Sequence, residues 1–243
     1  MKRRVLLIGA GGLGAPAALA LAASGASMTL VIVDDDRVER TNLHRQILFT
    51  EQDIGRPKAE TAAAFLRERF SADVEVYEER FVPESAQRLL EGVSLVLEGS
   101  DNFPTKFLAA DACFLSGIPI VHGAALRWYG TALAVAGERG RGACYRCLFE
   151  APPLEEAPTC ADAGVIGPAV GLVGAAQAAL ALRVLAGEDD AFGTLVTVDG
   201  HAKIIQRKRH VRARRDCTLC GERALPPRLA PEDYLGPTCG GEA

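Results

Sequence analysis

Two segments near the N-terminus carry residue types suited to binding a phosphorylated ligand. Gly9, Gly11 and Gly14 follow an apolar run in a Gly-x-Gly-x-x-Gly pattern, which permits a tight turn and a close approach of the backbone to phosphate. Residues 34–46 then read Asp-Asp-Asp-Arg-Val-Glu-Arg-Thr-Asn-Leu-His-Arg-Gln. An NAD site needs one acidic residue for the ribose, whereas a triphosphate and its metal ion need cationic and carboxylate partners. The two segments together favour ATP and chemistry at phosphorus.

The surrounding sequence alternates apolar runs with helical patterns, as βαβ units do. Strands are predicted at residues 5–8, 29–33, 74–77, 94–97 and 119–122, and helices at residues 14–23, 58–70, 83–90 and 103–115. After residue 122 the pattern changes, with strands predicted at residues 129–136, 194–198 and 203–207. The predicted fold class is α/β: a Rossmann-like, doubly wound, largely parallel sheet that continues into antiparallel C-terminal strands. Asp34 ends the second strand, 20 residues after Gly14, where a ribose-binding carboxylate is expected.

Composition and charge exclude some classes of function. The 243 residues are 49% hydrophobic and 24% charged, which is ordinary for a soluble globular protein. A net charge of −4 argues against a general nucleic-acid binder. We expect one domain over residues 1–221, a poorly structured Pro-rich tail over residues 222–243 and a cytoplasmic location.

Two apolar stretches resemble membrane signals. Residues 2–26 combine a basic start with an apolar run, as a secretory signal peptide does. Cleavage there would remove the glycine pattern, so we expect a buried strand and helix instead. Residues 163–182 carry no charge but contain Pro168 and Gln177, and a helix packed on the sheet fits them better than a membrane span.

Four of the seven cysteines form two Cys-x-x-Cys pairs, Cys144 with Cys147 and Cys217 with Cys220. Four thiolates in two such pairs suit a tetrahedral structural zinc site. Reduced or disulfide-bonded pairs are the alternatives. Because the pairs lie about 70 residues apart, a shared metal ion would tie the C-terminal segment back onto the domain.

Five motifs in order carry a resemblance to a known family. They are Gly9-x-Gly11-Gly12-Leu13-Gly14, Asp34-x-Asp36-x-Val38, Asn42-Leu43-x-Arg45-Gln46, Gly55-x-Pro57-Lys58 and Ser100-Asp101-Asn102. From residue 5 to about residue 221 the chain resembles the ubiquitin-activating-like (ThiF/MoeB/HesA-type) adenylyltransferases of sulfur-carrier proteins, which act in molybdopterin and thiamin-thiazole biosynthesis. The resemblance implies ATP-dependent adenylation of the C-terminal glycine of a ubiquitin-like carrier, with release of pyrophosphate.

The same resemblance assigns site residues. Those implied to bind ATP are Gly9, Gly11, Gly12, Gly14, Asp34, Asp36, Asn42, Arg45, Gln46, Lys58, Asp101 and Asn102. Arg45 and Lys58 would contact phosphates and Asp101 would hold Mg²⁺, which agrees with the need for positive charge where a carboxylate attacks phosphorus. Plainer interpretations are a surface ion-pair residue for Arg45, an ordinary first-turn helix residue for Lys58 and a turn cap for Asp36.

Cys160 matches a family position that, in some members, forms a covalent link to the carrier. A non-catalytic cysteine is the alternative. The resemblance also implies zinc at the four paired cysteines, a homodimer, and a sulfurtransferase or cysteine desulfurase as a further partner; no nucleic acid or membrane partner is expected.

Two features depart from or add to the family pattern. Related enzymes begin with two short helices carrying an arginine that reaches into the partner subunit's site, whereas this chain enters its first strand at Val5. Three explanations compete: a shortened start, a substitute cation from elsewhere, or a specialised or weakened catalyst. A basic run between residues 203 and 215 fits either the acidic face of a carrier or a charged, solvated edge strand.

The alternative functions are ATP activation of another acceptor (peptide, tRNA base or small molecule), a non-catalytic nucleotide-binding module that docks a carrier, and an NAD-dependent oxidoreductase.

Overall fold

The computed structural model describes residues 2–151, 164–202 and 205–234. Within these ranges an eight-stranded sheet has the order β3-β2-β1-β4-β5-β6-β7-β8. Its strands are β1 (Arg3–Ile8), β2 (Met28–Val33), β3 (Asp73–Tyr77), β4 (Leu95–Glu98), β5 (Ile120–Leu126), β6 (Tyr129–Val135), β7 (Thr194–Asp199) and β8 (Gln206–His210). Strands β1 to β5 pair in parallel and β5 to β8 pair antiparallel. The predicted fold class is confirmed.

Helices cover both faces of this sheet. They are α1 (Gly14–Ala23), α2 (Lys58–Phe70), α3 (Pro83–Leu89), α4 (Phe103–Ser116), α5 (Tyr145–Leu148) and α6 (Gly167–Leu185). Alternate strand residues point to opposite faces, so Val5 and Leu7 join α1, α2 and α6 in one core. Leu6 and Ile8 join α3, α4 and the paired cysteines in a second core on the other face.

Helix α6 accounts for the uncharged stretch in the sequence. It is long and apolar enough to span a membrane, but 56% of its most apolar window is buried within the domain. The core helix of a globular domain has the same length and composition. Gln177 is 1% exposed, and its Nε2 donates to the backbone carbonyls of Glu98 (2.9 Å) and Val121 (3.1 Å). The single amide in this apolar helix thus satisfies carbonyl groups at the end of β4 and in β5.

The C-terminal end differs in part from the sequence prediction. The last described strand runs over Gln206–His210, whereas a strand over residues 203–207 was predicted; residues 203 and 204 lie outside the described residues. All side chains of this strand are exposed, so no apolar alternation marks its bounds. The stretch from residue 222 was predicted to be poorly structured. Within its described part, Pro231–Tyr234 form a 3₁₀ turn, and the buried Tyr234 hydroxyl donates to Oδ2 of Asp111 on α4 at 2.8 Å.

Candidate functional site

The glycine motif forms the loop between β1 and α1. Gly9 has φ +86°, a conformation that L side chains rarely adopt. A Cβ atom at Gly14 would lie 1.8 Å from the Gly9 carbonyl oxygen, so Gly14 permits the close packing of loop and helix and does not line the cavity described next. Gly11 and Gly12 face that cavity, beside the N-terminus of α1, where free N–H groups and the helix dipole favour an anion.

A cavity of about 630 Å³ opens at the carboxyl ends of the parallel strands. This is the place where ligands bind in open α/β sheets, because the strand order reverses between β1 and β4. Ten of the residues proposed from sequence line it: Gly9, Gly11, Gly12, Asp34, Asp36, Arg45, Gln46, Lys58, Asp101 and Asn102. Residues from all five motifs therefore face one space of ligand size.

Asp34 fixes the glycine loop from the end of β2. Its Oδ2 accepts the Ala10 N–H at 2.7 Å and its Oδ1 accepts the Asp36 N–H at 2.8 Å. Burial raises the pKa of Asp34, against the lowering effect of these backbone hydrogen bonds and of Lys58. The carboxylate both lines the cavity and shapes the loop beside it.

Lys58 is the buried cation of the cavity. It stands at the first position of α2, where the positive end of the helix dipole disfavours a cation, and only 7% of its side chain is exposed. Its Nζ contacts Oδ2 of Asp36 at 2.7 Å, and the Asp36 side chain is 59% exposed. An ordinary surface lysine has no reason to be buried at this position, whereas a lysine facing an anionic ligand does.

Arg45 is held by its own segment. Its Nη2 donates to Oδ1 of Asn42 at 2.7 Å, and Asn42 does not line the cavity. Asn42 therefore orients the guanidinium, and its contact with phosphate stays a prediction. Gln46 is 3% exposed, and its Oε1 has no hydrogen-bond partner among the described residues, so one buried acceptor at the cavity remains for a ligand.

Asp101 lies in the turn between β4 and α4. Its carboxylate lines the cavity and bonds to no side chain of the described residues. The next residue, Asn102, caps α4 by accepting the Thr105 N–H at 2.9 Å, so its side chain has a structural task besides lining the cavity. A free carboxylate beside a triphosphate-sized space suits a hard cation such as Mg²⁺.

Sequence reasoning missed a charged cluster under this turn. Glu98 at the end of β4 is fully buried and contacts Lys106 Nζ at 2.9 Å and His122 Nδ1 at 3.4 Å. Burial alone would raise the pKa of Glu98, but the Lys106 ammonium, with His122 and Ser100, lowers it to about 2. Burial lowers the pKa of His122. The sequence signal that could have revealed this cluster is Glu98 itself, a charged residue at the end of an otherwise apolar strand.

The far wall of the cavity comes from the antiparallel strands and the first cysteine pair. Tyr129 of β6, Tyr145 of α5 and Phe149 line it. Of the basic run, Arg207 and Arg209 of β8 also face the cavity, whereas Arg214 pairs with Glu150 outside it. The basic run is thus divided between the cavity and the outer surface.

The four paired cysteines converge into one buried cluster. Their Sγ atoms all lie within 4.8 Å of one another, with separations of 3.8 Å between Cys144 and Cys147, 3.5 Å between Cys144 and Cys217, and 3.4 Å between Cys147 and Cys220. Tetrahedral zinc with Zn–S bonds of about 2.3 Å places sulfurs about 3.8 Å apart. The donor set and its spacing fit a four-thiolate metal site.

The cysteine cluster also contacts the nucleotide side of the domain. Tyr145, between Cys144 and Cys147, stacks on His122 with ring centroids 4.2 Å apart. Arg146 forms a two-point ion pair with Asp111 of α4, at 2.9 and 2.7 Å. Cys160, predicted as a covalent catalyst, lies outside the described residues.

Comparisons with known proteins identify the family of this chain. The SAMP-activating enzyme E1 of Haloferax volcanii is 43% identical over 225 residues, which are 91% of this chain and 82% of that protein. The adenylyltransferase and sulfurtransferase MOCS3 of Mus musculus is 42% identical over 98% of this chain. The match covers about half (51%) of the length of MOCS3. A crystal structure of E. coli MccB with ATP shares the fold, with a TM-score of 0.74 at 20% identity over 90% of this chain and 67% of that one. A model of the ThiF family matches residues 1–220, and the chain belongs to that family.

Proposed function

We propose that this protein uses ATP to adenylate the C-terminal glycine carboxylate of a ubiquitin-like sulfur-carrier protein, with release of pyrophosphate. The observation that carries the proposal is the single cavity in which the glycine loop, Lys58, Arg45 and Asp101 meet. Relatives named as a SAMP-activating E1 and as an adenylyltransferase and sulfurtransferase support the same reaction.

The charges of the cavity suit attack of a carboxylate on the α-phosphorus. Both reactants are anions, so the reaction needs fixed positive charge that faces the phosphates. Lys58 is already buried and contacts Asp36, and Arg45 is already oriented by Asn42. Each cation can therefore move from its partner to a phosphate oxygen without a large rearrangement. Asp34, at the end of β2, is placed for the ribose hydroxyls.

Magnesium is the cation we propose for Asp101. Bound there, Mg²⁺ would neutralise charge on the triphosphate and on the leaving pyrophosphate. The protein supplies the free carboxylate and the turn that carries it. We further propose that the cysteine cluster holds zinc and that the protein acts as a homodimer, in line with the family resemblance.

Exchange of labelled pyrophosphate into ATP tests the proposal. We expect exchange that requires both Mg²⁺ and a ubiquitin-like carrier with a free C-terminal glycine, and none with the same carrier lacking that glycine. Absence of exchange with every carrier in a panel, together with exchange driven by a short peptide, would move the acceptor to another carboxylate. Thermal stabilisation by NAD but not by ATP would reject the reaction class altogether.

A further inference from the structure

The turn that carries Asp101 is bound to a buried carboxylate two residues before it. Glu98 Oε1 accepts the Ser100 N–H at 2.7 Å and also accepts the Ser100 hydroxyl. The backbone carbonyl of the same residue accepts the Gln177 side chain at 2.9 Å. Glu98 is therefore fixed through its main chain by α6, and it fixes the start of the turn through its side chain.

The other oxygen of Glu98 joins the turn to α4 and to β5. Lys106, in the first turns of α4, donates from Nζ to Glu98 Oε2 at 2.9 Å and to the Gly123 carbonyl at 2.5 Å. Only 7% of the Lys106 side chain is exposed. The turn over residues 100–102 is thus held at its start by Glu98 and at its end by the Asn102 cap of α4, while Lys106 connects both to the sheet.

Stability alone is a weak reason for such a pair. Taking two charges out of water costs several kcal/mol for each ion, and apolar side chains of the same size often stabilise a fold as well or better. The pair does, however, direct hydrogen bonds at one functional turn, and a fixed surrounding is what a metal-binding carboxylate needs. Asp101 itself bonds to no described side chain that could hold it.

We propose that Glu98 and Lys106 are positioning residues that hold the turn over residues 100–102 so that the Asp101 carboxylate faces the metal ion on the triphosphate. The inference rests on the proposed use of magnesium and ATP at this site. It makes the cluster part of nucleotide activation, although neither side chain is assigned a contact with the reacting atoms.

The structure offers a matched control on the same helix. Asp111 of α4 forms a second buried ion pair with Arg146, and it has no contact with the turn. The Asp111→Asn variant therefore reports what loss of a buried charge does to the fold alone. The double variant Glu98→Gln with Lys106→Met removes both charges together, so neither is left unpaired in the interior.

The experiment measures ATP binding by calorimetry over a range of Mg²⁺ concentrations, with melting temperature and pyrophosphate exchange recorded for the same samples. For the double variant we expect the Mg²⁺ concentration at half-effect to rise about 10-fold, as for other groups that orient a metal ligand, with ATP affinity in EDTA unchanged. Asp111→Asn should lower the melting temperature and leave the Mg²⁺ dependence as in the wild type.

A double variant that folds and keeps the wild-type Mg²⁺ dependence would overturn the inference, and so would a wild-type protein whose ATP binding does not respond to Mg²⁺. Should the double variant fail to fold, Ser100→Ala removes one hydrogen bond to Glu98 without exposing a charge. It should raise the Mg²⁺ requirement in the same direction by about 2- to 3-fold. If the proposed function fails and the positioning role does not, the wild type will bind ATP in a Mg²⁺-dependent way but show no pyrophosphate exchange with any carrier.

Discussion

The nucleotide cavity and the cysteine cluster satisfy their polar groups in different ways. In the cavity, each charged group that we assign to phosphates already has a partner within the chain: Lys58 contacts Asp36, and Arg45 contacts Asn42. In the cluster, four buried sulfurs face chiefly one another, with the Arg214 N–H at 3.4 Å from Cys147 as an outside donor. The cations of the cavity thus have partners before any ligand binds, whereas the sulfurs of the cluster have the arrangement that a shared metal ion would need.

This difference predicts opposite consequences when a ligand is lost. The cavity lies on strands whose cores are buried on both faces, so it should keep its shape without nucleotide. The cluster joins segments 73 residues apart in sequence, and among the described residues its sulfurs face chiefly one another. Changes at the cavity should therefore affect activity most, and changes at the cluster should affect stability most.

The largest effect is expected from loss of the zinc ion that we propose for the cysteine cluster. Structural zinc contributes on the order of 10 kcal/mol to the folding of small zinc domains, and part of that should be lost here because the rest of the domain has its own cores. For Cys217→Ser we expect the bound zinc, measured by elemental analysis, to disappear and the melting temperature to fall by at least about 10 °C.

Cys113 provides the control for this variant, since it is buried on α4 and outside the cluster. Cys113→Ala should retain one zinc ion per chain. A wild-type protein that contains no metal, and whose melting temperature does not change with a chelator, would show that the cluster is not a metal site.

The second prediction is a variant that loses activity but keeps its stability. Asp101→Ala should lower pyrophosphate exchange at least about 100-fold, because it removes the carboxylate assigned to charge neutralisation at the phosphates. Since Asp101 is exposed in a turn, the free energy of unfolding should change by no more than about 0.5 kcal/mol.

Cys160→Ala, at a position outside the described residues, should keep nearly full exchange, because a thiol has no part in attack at phosphorus. Loss of exchange in this variant, when it is folded and contains zinc, would contradict the assignment of adenylation to the cavity alone. Normal exchange by Asp101→Ala would move the metal-binding role to another carboxylate.

The sequence predicted the parallel half of the fold well because its signals are local. A buried parallel strand is a continuous apolar run, and a phosphate loop requires glycines at fixed spacing. The cavity-lining glycines and Asp34 could be located this way, whereas Lys58 was assigned through the family resemblance. The bounds of β8 could not be predicted, since its pairing with β7 and not an apolar face defines it.

Contacts between elements distant in sequence account for most of what could not be predicted. The hydrogen bond from Arg45 to Asn42 is local, and the contact of Asn42 with phosphate stays a prediction. Glu98 and Lys106 belong to no motif that we recognised, and their pairing depends on the direction in which α4 leaves the sheet. Helix α6 was predicted correctly as a core helix, but the target of Gln177, 79 residues away, could not be predicted.

The third prediction concerns how the stability of the protein depends on pH through Glu98, which lies beside the cavity. The pKa of Glu98 lies at about 2, below its ordinary 4.5, so its ionised form stabilises the fold above pH 4.5, and that stabilisation is lost as the pH falls toward 2. Linkage makes the pH-dependent part roughly 3 kcal/mol. Denaturant unfolding between pH 6 and about pH 3 should show a smaller decline for the Glu98→Gln, Lys106→Met double variant than for the wild type. Parallel curves would mean that Glu98 is not ionised in the folded protein.

The smallest effect is expected at the C-terminal segment, whose described part ends in a 3₁₀ turn that contacts α4. The buried Tyr234 hydroxyl donates to Asp111 at 2.8 Å, and Asp111 also receives Arg146 from the cysteine cluster. Tyr234→Phe removes one hydrogen bond to a charged group and should lower the free energy of unfolding by about 1.5 kcal/mol.

Leu225, in the same segment, is 82% exposed, so Leu225→Ala should leave the free energy of unfolding unchanged within about 0.5 kcal/mol. Equal stabilities for Tyr234→Phe and the wild type would show that this segment does not dock on α4 in solution. If the free energy of unfolding falls for Tyr234→Phe and not for Leu225→Ala, the folded domain includes Tyr234, which lies after the last cysteine of the cluster.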